Sequence, residues 1–364
     1  MTIEATEKPP RFYELDILRF LAALAVVLFH YVFLNQIEYE TLEPYPVLGN
    51  LFKFGYLGVE LFFIISGFVI LLTATKKDWA GFIISRITRL YPAFWVAVSL
   101  TTVAILLFGD EVMQVTLKQF LWNLTMLGNF VGVENIDPVY WTLQVEIKFY
   151  FWIFVILLFR KIQHIEFFIF LWLLASIFEV FHLIHGFTHP VLMPEWAPYF
   201  SAGALFYRIT THGFTRLRFA MLVLAYLLSV YFAIQGAELR TELYKVVFSP
   251  WVTALLISSY FLIFAAIVFG VTAKLHRPWF VIVGATTYPL YLIHQKLGQI
   301  IYLHLGDYLN KYVLLILSIS LMIFLAYLIN RYIENKLGLW MRNALQKWVA
   351  KWRPEEDSNP RPAP

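Results

Sequence analysis

The fold turns on one stretch, Glu14–Tyr31, ELDILRFLAALAVVLFHY. Its run of Leu, Ala, Val and Phe suits a membrane span, which needs roughly 20 mostly apolar residues. Yet Asp16 and Arg19 stand in its first turns and His30 near its end. A charge at the bilayer centre costs about 2.5–3.5 kcal/mol, so ionisable groups inside a span are functional candidates by default. Asp16 and Arg19 are three residues apart and can pair on one helix face. Arg19 and His30 are eleven apart, close to three helical turns, so both point the same way, about 16 Å apart along the axis. Side chains that merely snorkel to the membrane surface need no shared face.

The rest of the chain agrees with a membrane setting. Its 364 residues are 60% hydrophobic and 14% charged, with mean hydropathy +0.69. A soluble domain is about 45–50% apolar and about 25% charged. The class expected is therefore an all-α, polytopic integral membrane protein. There is no cysteine, which excludes disulfides, thiolate metal sites and a cysteine nucleophile. The net charge of +4 fits basic membrane loops better than nucleic-acid binding. The first apolar run follows a polar, proline-containing leader and lacks a small-residue cleavage site, so it is expected to remain as a span.

Ten spans are predicted, near 15–35, 55–74, 87–108, 141–159, 165–185, 194–209, 218–235, 246–270, 279–303 and 313–331. The stretch 117–130 is too short and polar to cross and reads as an interfacial or re-entrant segment. Loop charge alternates. One set carries Lys8, Arg11, Lys76, Lys77, Arg86, Arg89, Arg160, Lys161, Arg208, Arg216, Arg218, Lys274, Arg277, Lys336, Arg342 and Lys347. The other is acidic or nearly uncharged, with Glu38, Glu40, Glu43, Asp110, Glu111, Glu134, Asp137, Glu195, Glu238, Arg240, Glu242 and Asp307. The positive-inside rule then puts both termini in the cytoplasm, in a multi-pass protein of the cytoplasmic (inner) membrane. The organisation expected is a leader over 1–13, a ten-span domain over 14–334 and a cytoplasmic, partly disordered tail over 335–364. The tail ends in the charged, Pro-rich RPEEDSNPRPAP.

Further polar groups recur at the span ends. In YWTLQVEIKFYF, Trp141-Thr142 precede Glu146, which shares a face with Thr142 and lies at the depth of His30. A His and a carboxylate at one depth suit a general base and its orienting partner. GVELFFIISGFVI carries Glu60 near its outer end and Ser66-Gly67 mid-span, where small residues let helices approach. In SRITRLYPAFW, Arg86 and Arg89 are three apart and followed by Tyr91-Pro92. Two such guanidiniums can grip phosphate oxygens, although positive-inside charge would look the same. TYPLYLIHQ sets His294 deep in a span after Pro289. His182, His185 and His189 lack acidic partners at ligand spacing, so no metal is expected.

These stretches, LDILRFLAALAVVLFHY, GYLGVELFFIISGFVI, RITRLYPAFW, WTLQVEIKFYF and YPLYLIHQ, resemble the integral-membrane acyltransferase family 3. That family includes bacterial O-antigen and Nod-factor O-acetyltransferases and macrolide acyltransferases. The resemblance implies a domain that takes an acyl group, usually acetyl, from cytoplasmic acyl-CoA. It implies an acceptor hydroxyl on a carbohydrate such as a cell-surface polysaccharide or its lipid-linked precursor. It also implies that Arg19, His30, the Arg86/Arg89 pair and Glu146 are the essential side chains. Glu60 stands where the family often has Asp.

The chemistry expected has His30 as base, oriented by Glu146, with Arg86 and Arg89 on the CoA phosphates. The pantetheine arm would thread past Asp16 and Arg19, with Glu60, Ser66, Trp141, Thr142, Tyr91 and His294 supporting. Acyl-CoA, the acceptor sugar and the bilayer are the partners expected, without nucleic acid or metal. The competing reading is a proton-coupled exporter of a sugar-containing substrate, with the same acids and histidines as a relay. Its usual pairing of broken helices between halves is missing here, since Pro92, Pro198 and Pro289 do not match up.

Overall fold

A computed structural model describes residues 12–39, 42–110, 113–183, 188–275 and 277–352. The described residues form helices and connecting turns, without strands. Among the described residues, eight helices are long and apolar enough to cross a membrane. They are α1 (Tyr13–Glu38), α2 (Pro46–Ala74), α3 (Trp79–Phe108), α4 (Pro138–Leu158), α5 (Ile162–Val180), α7 (Arg216–Tyr244), α8 (Pro250–Val268) and α10 (Lys311–Trp352). Two more helices, α6 (Ala197–His212) and α9 (Trp279–Leu305), fall on the other two expected spans. With 16 residues, α6 is short for a span, and nearly all of it from Ala197 to Tyr207 is buried in protein. The expected interfacial stretch is a seven-residue helix (Leu117–Asn123) and a 3₁₀ turn (Gly128–Val131). Residues 1–11 of the leader, His185 and residues 353–364 lie outside the described residues, as does the side chain of His189.

Close approach sets the centre of the bundle. A Cβ on Gly67 of α2 would sit 2.1 Å from the Phe200 carbonyl oxygen of α6, and one on Gly203 would sit 1.9 Å from that of Ile64. The two glycines let the backbones touch, which is how membrane helices pack without a hydrophobic driving force between them. The packing expected of Ser66-Gly67 is met by the glycine. Between α1 and α9 the same device admits an aromatic: the Tyr31 ring fills the place of a Gly298 side chain, and its hydroxyl donates to the His294 carbonyl at 2.8 Å.

α3 begins earlier than the expected span. Asp78 caps it by accepting from the Gly81 amide at 2.9 Å, so Arg86 and Arg89 sit within the helix and not ahead of it. Two helices contain a π turn: His30–Leu34 in α1 and Ile329–Glu334 in α10. Such turns widen the helix and frequently mark functional positions. Each places one of the polar groups described next.

Candidate active site

Two cavities open toward opposite ends of the bundle. The basic-end cavity, about 330 Å³, lies among the starts of α1, α3 and α9, the first half of α4 and the ends of α2 and α10. Arg19, Arg86, Arg89 and Arg342 line it, with Ser66, Glu146, Tyr150 and Tyr288. Its charges are held by specific partners. Arg19 pairs with Asp16 at 3.4 Å. Arg86 donates to Ser85 at 2.9 Å, and its guanidinium lies 5.7 Å from the Tyr150 ring centre. Arg89 forms an ion pair with Glu334, the last residue of the second π turn, and stacks 5.8 Å from the centre of Tyr288. Ser66 donates to Glu146 at 2.6 Å. The result is a pocket with excess positive charge that still offers exposed guanidinium edges: the Arg89 side chain remains 41% exposed. Fixed guanidiniums of this kind match phosphate or carboxylate oxygens.

The acidic-end cavity, about 250 Å³, is walled by the end of α1, the start of α4, parts of α2, α7 and α9, and Trp196 just ahead of α6. His30, Glu38, Glu60, Trp141, Trp196, Tyr244 and Gln295 line it, and Arg240 enters from α7 with its guanidinium 3.8 Å from the centre of the Tyr56 ring. Glu60 is buried, and its Oε2 has no hydrogen-bond partner in the protein. Aromatic faces and flanking polar groups form a lining suited to a polar, ring-shaped ligand. Val59 and Tyr291 line both cavities, so the two are separated by little more than these side chains. The Thr142 hydroxyl sits 3.0 Å from the Tyr291 hydroxyl at this partition.

His30 is the first residue of the π turn in α1 and is 8% exposed. Its Nδ1 lies 2.8 Å from the Val26 carbonyl oxygen and 3.1 Å from Nε2 of His294. Nδ1 of His294 lies 2.8 Å from the Tyr291 carbonyl. A carbonyl only accepts, so each Nδ1 carries a proton in the neutral ring. Nε2 of His294 is then an acceptor aimed at Nδ1–H of His30. The second nitrogen of His30, Nε2, keeps its lone pair. Both histidines therefore have a fixed tautomer, and His30 has a free basic nitrogen.

A family comparison fits this arrangement. The model of an acyltransferase domain matches residues 12–331. The chain belongs to the acyltransferase family 3. Two curated relatives match in part: the protein named acetyltransferase ORF330 of Acidianus two-tailed virus is 29% identical over 138 residues, and Nodulation protein 10 of Rhizobium leguminosarum bv. viciae is 28% identical over 160. Each alignment covers 37% of the chain, and it spans 38% and 41% of those relatives. No solved structure matches.

Within this multi-pass membrane acyltransferase fold, the expected site residues divide between the two ends. Arg19, Arg86, Arg89, Ser66 and Glu146 meet at the basic end. His30, Glu60 and Trp141 meet at the acidic end. Thr142 lines the basic-end cavity and reaches the partition. The expected pairing of His30 with Glu146 is not formed. One helical turn carries Glu146 toward Ser66, and His294 of α9 takes the place at His30. Asp16 stays beside Arg19, outside the side chains that line either cavity. Tyr91 also lies outside both: it donates to the Thr125 carbonyl at 2.8 Å and ties α3 to the loop before α4. Among the described residues no group of three or more His, Asp or Glu could hold a metal.

Several residues read as loop charges turn inward. Asp137 is fully buried; its oxygens accept from the Val139 amide at 3.1 Å and from the Lys296 amide of α9 at 3.0 Å. Burial pushes this carboxyl up to about 6 against the pull of those two amides. It fixes the start of α4 beside His294. Arg240, expected in an outer loop, enters the acidic-end cavity. Arg208 and Arg218 close on Glu166 at 2.8 and 2.9 Å and so belong to a partly buried cluster joining α5, α6 and α7. Only Lys and Arg bias is visible in such positions from sequence. A helix longer than the bilayer core requires is the one signal that could have placed Arg240 inside: α7 has 29 residues, against the roughly 20 that suffice.

Proposed function

We propose that this protein is a membrane O-acyltransferase that moves an acyl group, acetyl in the first instance, from acyl-CoA to a hydroxyl of a carbohydrate. The basic end, which loop charge puts in the cytoplasm, receives the CoA phosphates on Arg86, Arg89 and Arg342, with Arg19 deeper in the cavity. The pantetheine arm runs toward the Val59–Tyr291 partition. The sugar acceptor enters from the acidic end, among Trp141, Trp196, Glu60 and Arg240. The single observation that carries this reading is the free Nε2 of His30, with its Nδ1–H committed to Val26 and His294.

In the reaction, His30 Nε2 takes the proton from the acceptor hydroxyl as its oxygen attacks the thioester carbonyl. The tetrahedral oxyanion then collapses, the C–S bond breaks, and the CoA thiolate takes the proton back from the imidazolium. Tyr291 and Thr142, the hydroxyl pair at the partition, would turn from each other and from the Val139 carbonyl to donate to that oxyanion. Arg19 and His30 are about 16 Å apart along α1, comparable to the reach of a pantetheine arm, so donor and acceptor meet without CoA crossing.

The test is mass spectrometry of surface glycans and their lipid-linked precursors from cells lacking the protein. The expected result is loss of one acetyl mass from a single species, restored by the wild-type chain and not by His30→Ala. Unchanged glycans in the deletion cells would refute the carbohydrate acceptor.

A further inference from the structure

Beyond residue 331, where the family match ends, α10 continues as Asn335–Trp352, NKLGLWMRNALQKWVAKW. This segment has Lys336, Arg342, Lys347 and Lys351 and no Asp or Glu. At about 100° per residue, Leu337, Met341, Leu345, Trp348 and Trp352 fall on one side. Lys336, Lys347 and Lys351 gather on a neighbouring side, all exposed.

The protein covers only the first half of the apolar side. Gly338 presses on α3, where an added Cβ would meet the Thr88 carbonyl at 2.8 Å, and Met341 is buried. Arg342 reaches the basic-end cavity. These contacts fix the roll of the helix. The apolar side then runs on to Trp348 and Trp352, whose rings lie 6.3 Å apart and are 60% and 74% exposed. A tryptophan pair in line with a buried methionine, on a helix that leaves the basic end of a span, lies where the bilayer surface already is. Tryptophan favours that depth, and unopposed Lys and Arg favour an anionic leaflet. A protein partner would have to be recruited to cover the same side.

We infer that Asn335–Trp352 is a surface helix seated on anionic phospholipid. Trp348 and Trp352 lie at headgroup depth, and Lys336, Lys347 and Lys351 lie against the lipid phosphates. This seat does not depend on the acyl-transfer reading.

Because the chain has no cysteine, one introduced cysteine is the sole labelling site. Spin labels at Trp348→Cys and at Asn343→Cys, on the polar side, are compared in nanodiscs of phosphatidylcholine with and without phosphatidylglycerol. Power saturation measures access to oxygen, which concentrates in lipid, and to an aqueous nickel chelate. The label at 348 is expected to favour oxygen and the label at 343 nickel. Adding phosphatidylglycerol should deepen the label at 348. The combined Lys336→Gln, Lys347→Gln and Lys351→Gln changes should abolish that deepening. Equal nickel access at 348 and 343 in both lipids would overturn the inference. So would dipolar broadening at 348 that reports a second copy of the chain over the tryptophan pair.

Discussion

The two ends of the molecule are built by different rules. At the basic end, four arginines converge, and three of them come from short local patterns: Arg19 beside Asp16, and Arg86 with Arg89 on the first turns of one capped helix. At the acidic end, the lining comes from five helices and from Trp196 just ahead of α6, and its key groups meet across long stretches of sequence. His30 and His294 meet across 264 residues. A site for a charged, repetitive group can be made from local spacing. A site that sets one proton must be assembled by packing, because it depends on which nitrogen faces which carbonyl.

If the division is right, substitutions should separate cleanly by end. The largest effect is expected for His30→Ala, which removes the base: transfer falls about 100- to 10,000-fold while thermal unfolding of the purified protein stays near wild type. Next come Arg86→Ala and Arg89→Ala. Hydrogen bonds to charged groups are worth about 1.5–3 kcal/mol, so the KM for acyl-CoA should rise about 10- to 100-fold with little change in that for the acceptor. Equal changes in both constants would break the comparison. Glu60→Gln should do the reverse and more mildly, raising the acceptor KM by the several-fold that a loss of about 1 kcal/mol gives. Its donor KM should hold. Tyr91→Phe, outside both cavities, is the control. It loses one bond to the Thr125 carbonyl, costs about 0.5–1.5 kcal/mol of stability and leaves both KM values unchanged.

Much of the fold was legible in the chain. Helix positions followed from apolar runs, and the acyltransferase family from five short stretches that the family match later covered. At the basic end, the spacing of Arg86 and Arg89 and the closeness of Asp16 to Arg19 were readable because helix geometry makes them local. The partner of His30 was not. Glu146 was expected at its depth, but the carboxylate lies in the basic-end cavity, where Ser66 claims it. The neighbour that does meet His30 depends on Tyr31 entering the notch at Gly298 and on Asp137 holding α9, both long-range contacts. Arg208 and Arg218 read as loop charges because pairing with Glu166, 42 and 52 residues away, leaves no mark in the local sequence.

The central claim is that the donor binds at one end and the proton moves at the other. Calorimetric titration of CoA into the purified wild-type, Arg86→Ala and His30→Ala proteins tests it without knowledge of the acceptor. The account predicts that Arg86→Ala raises the Kd for CoA about tenfold or more, while His30→Ala binds CoA as the wild type does. A loss of CoA binding in His30→Ala with Arg86→Ala unaffected would contradict it.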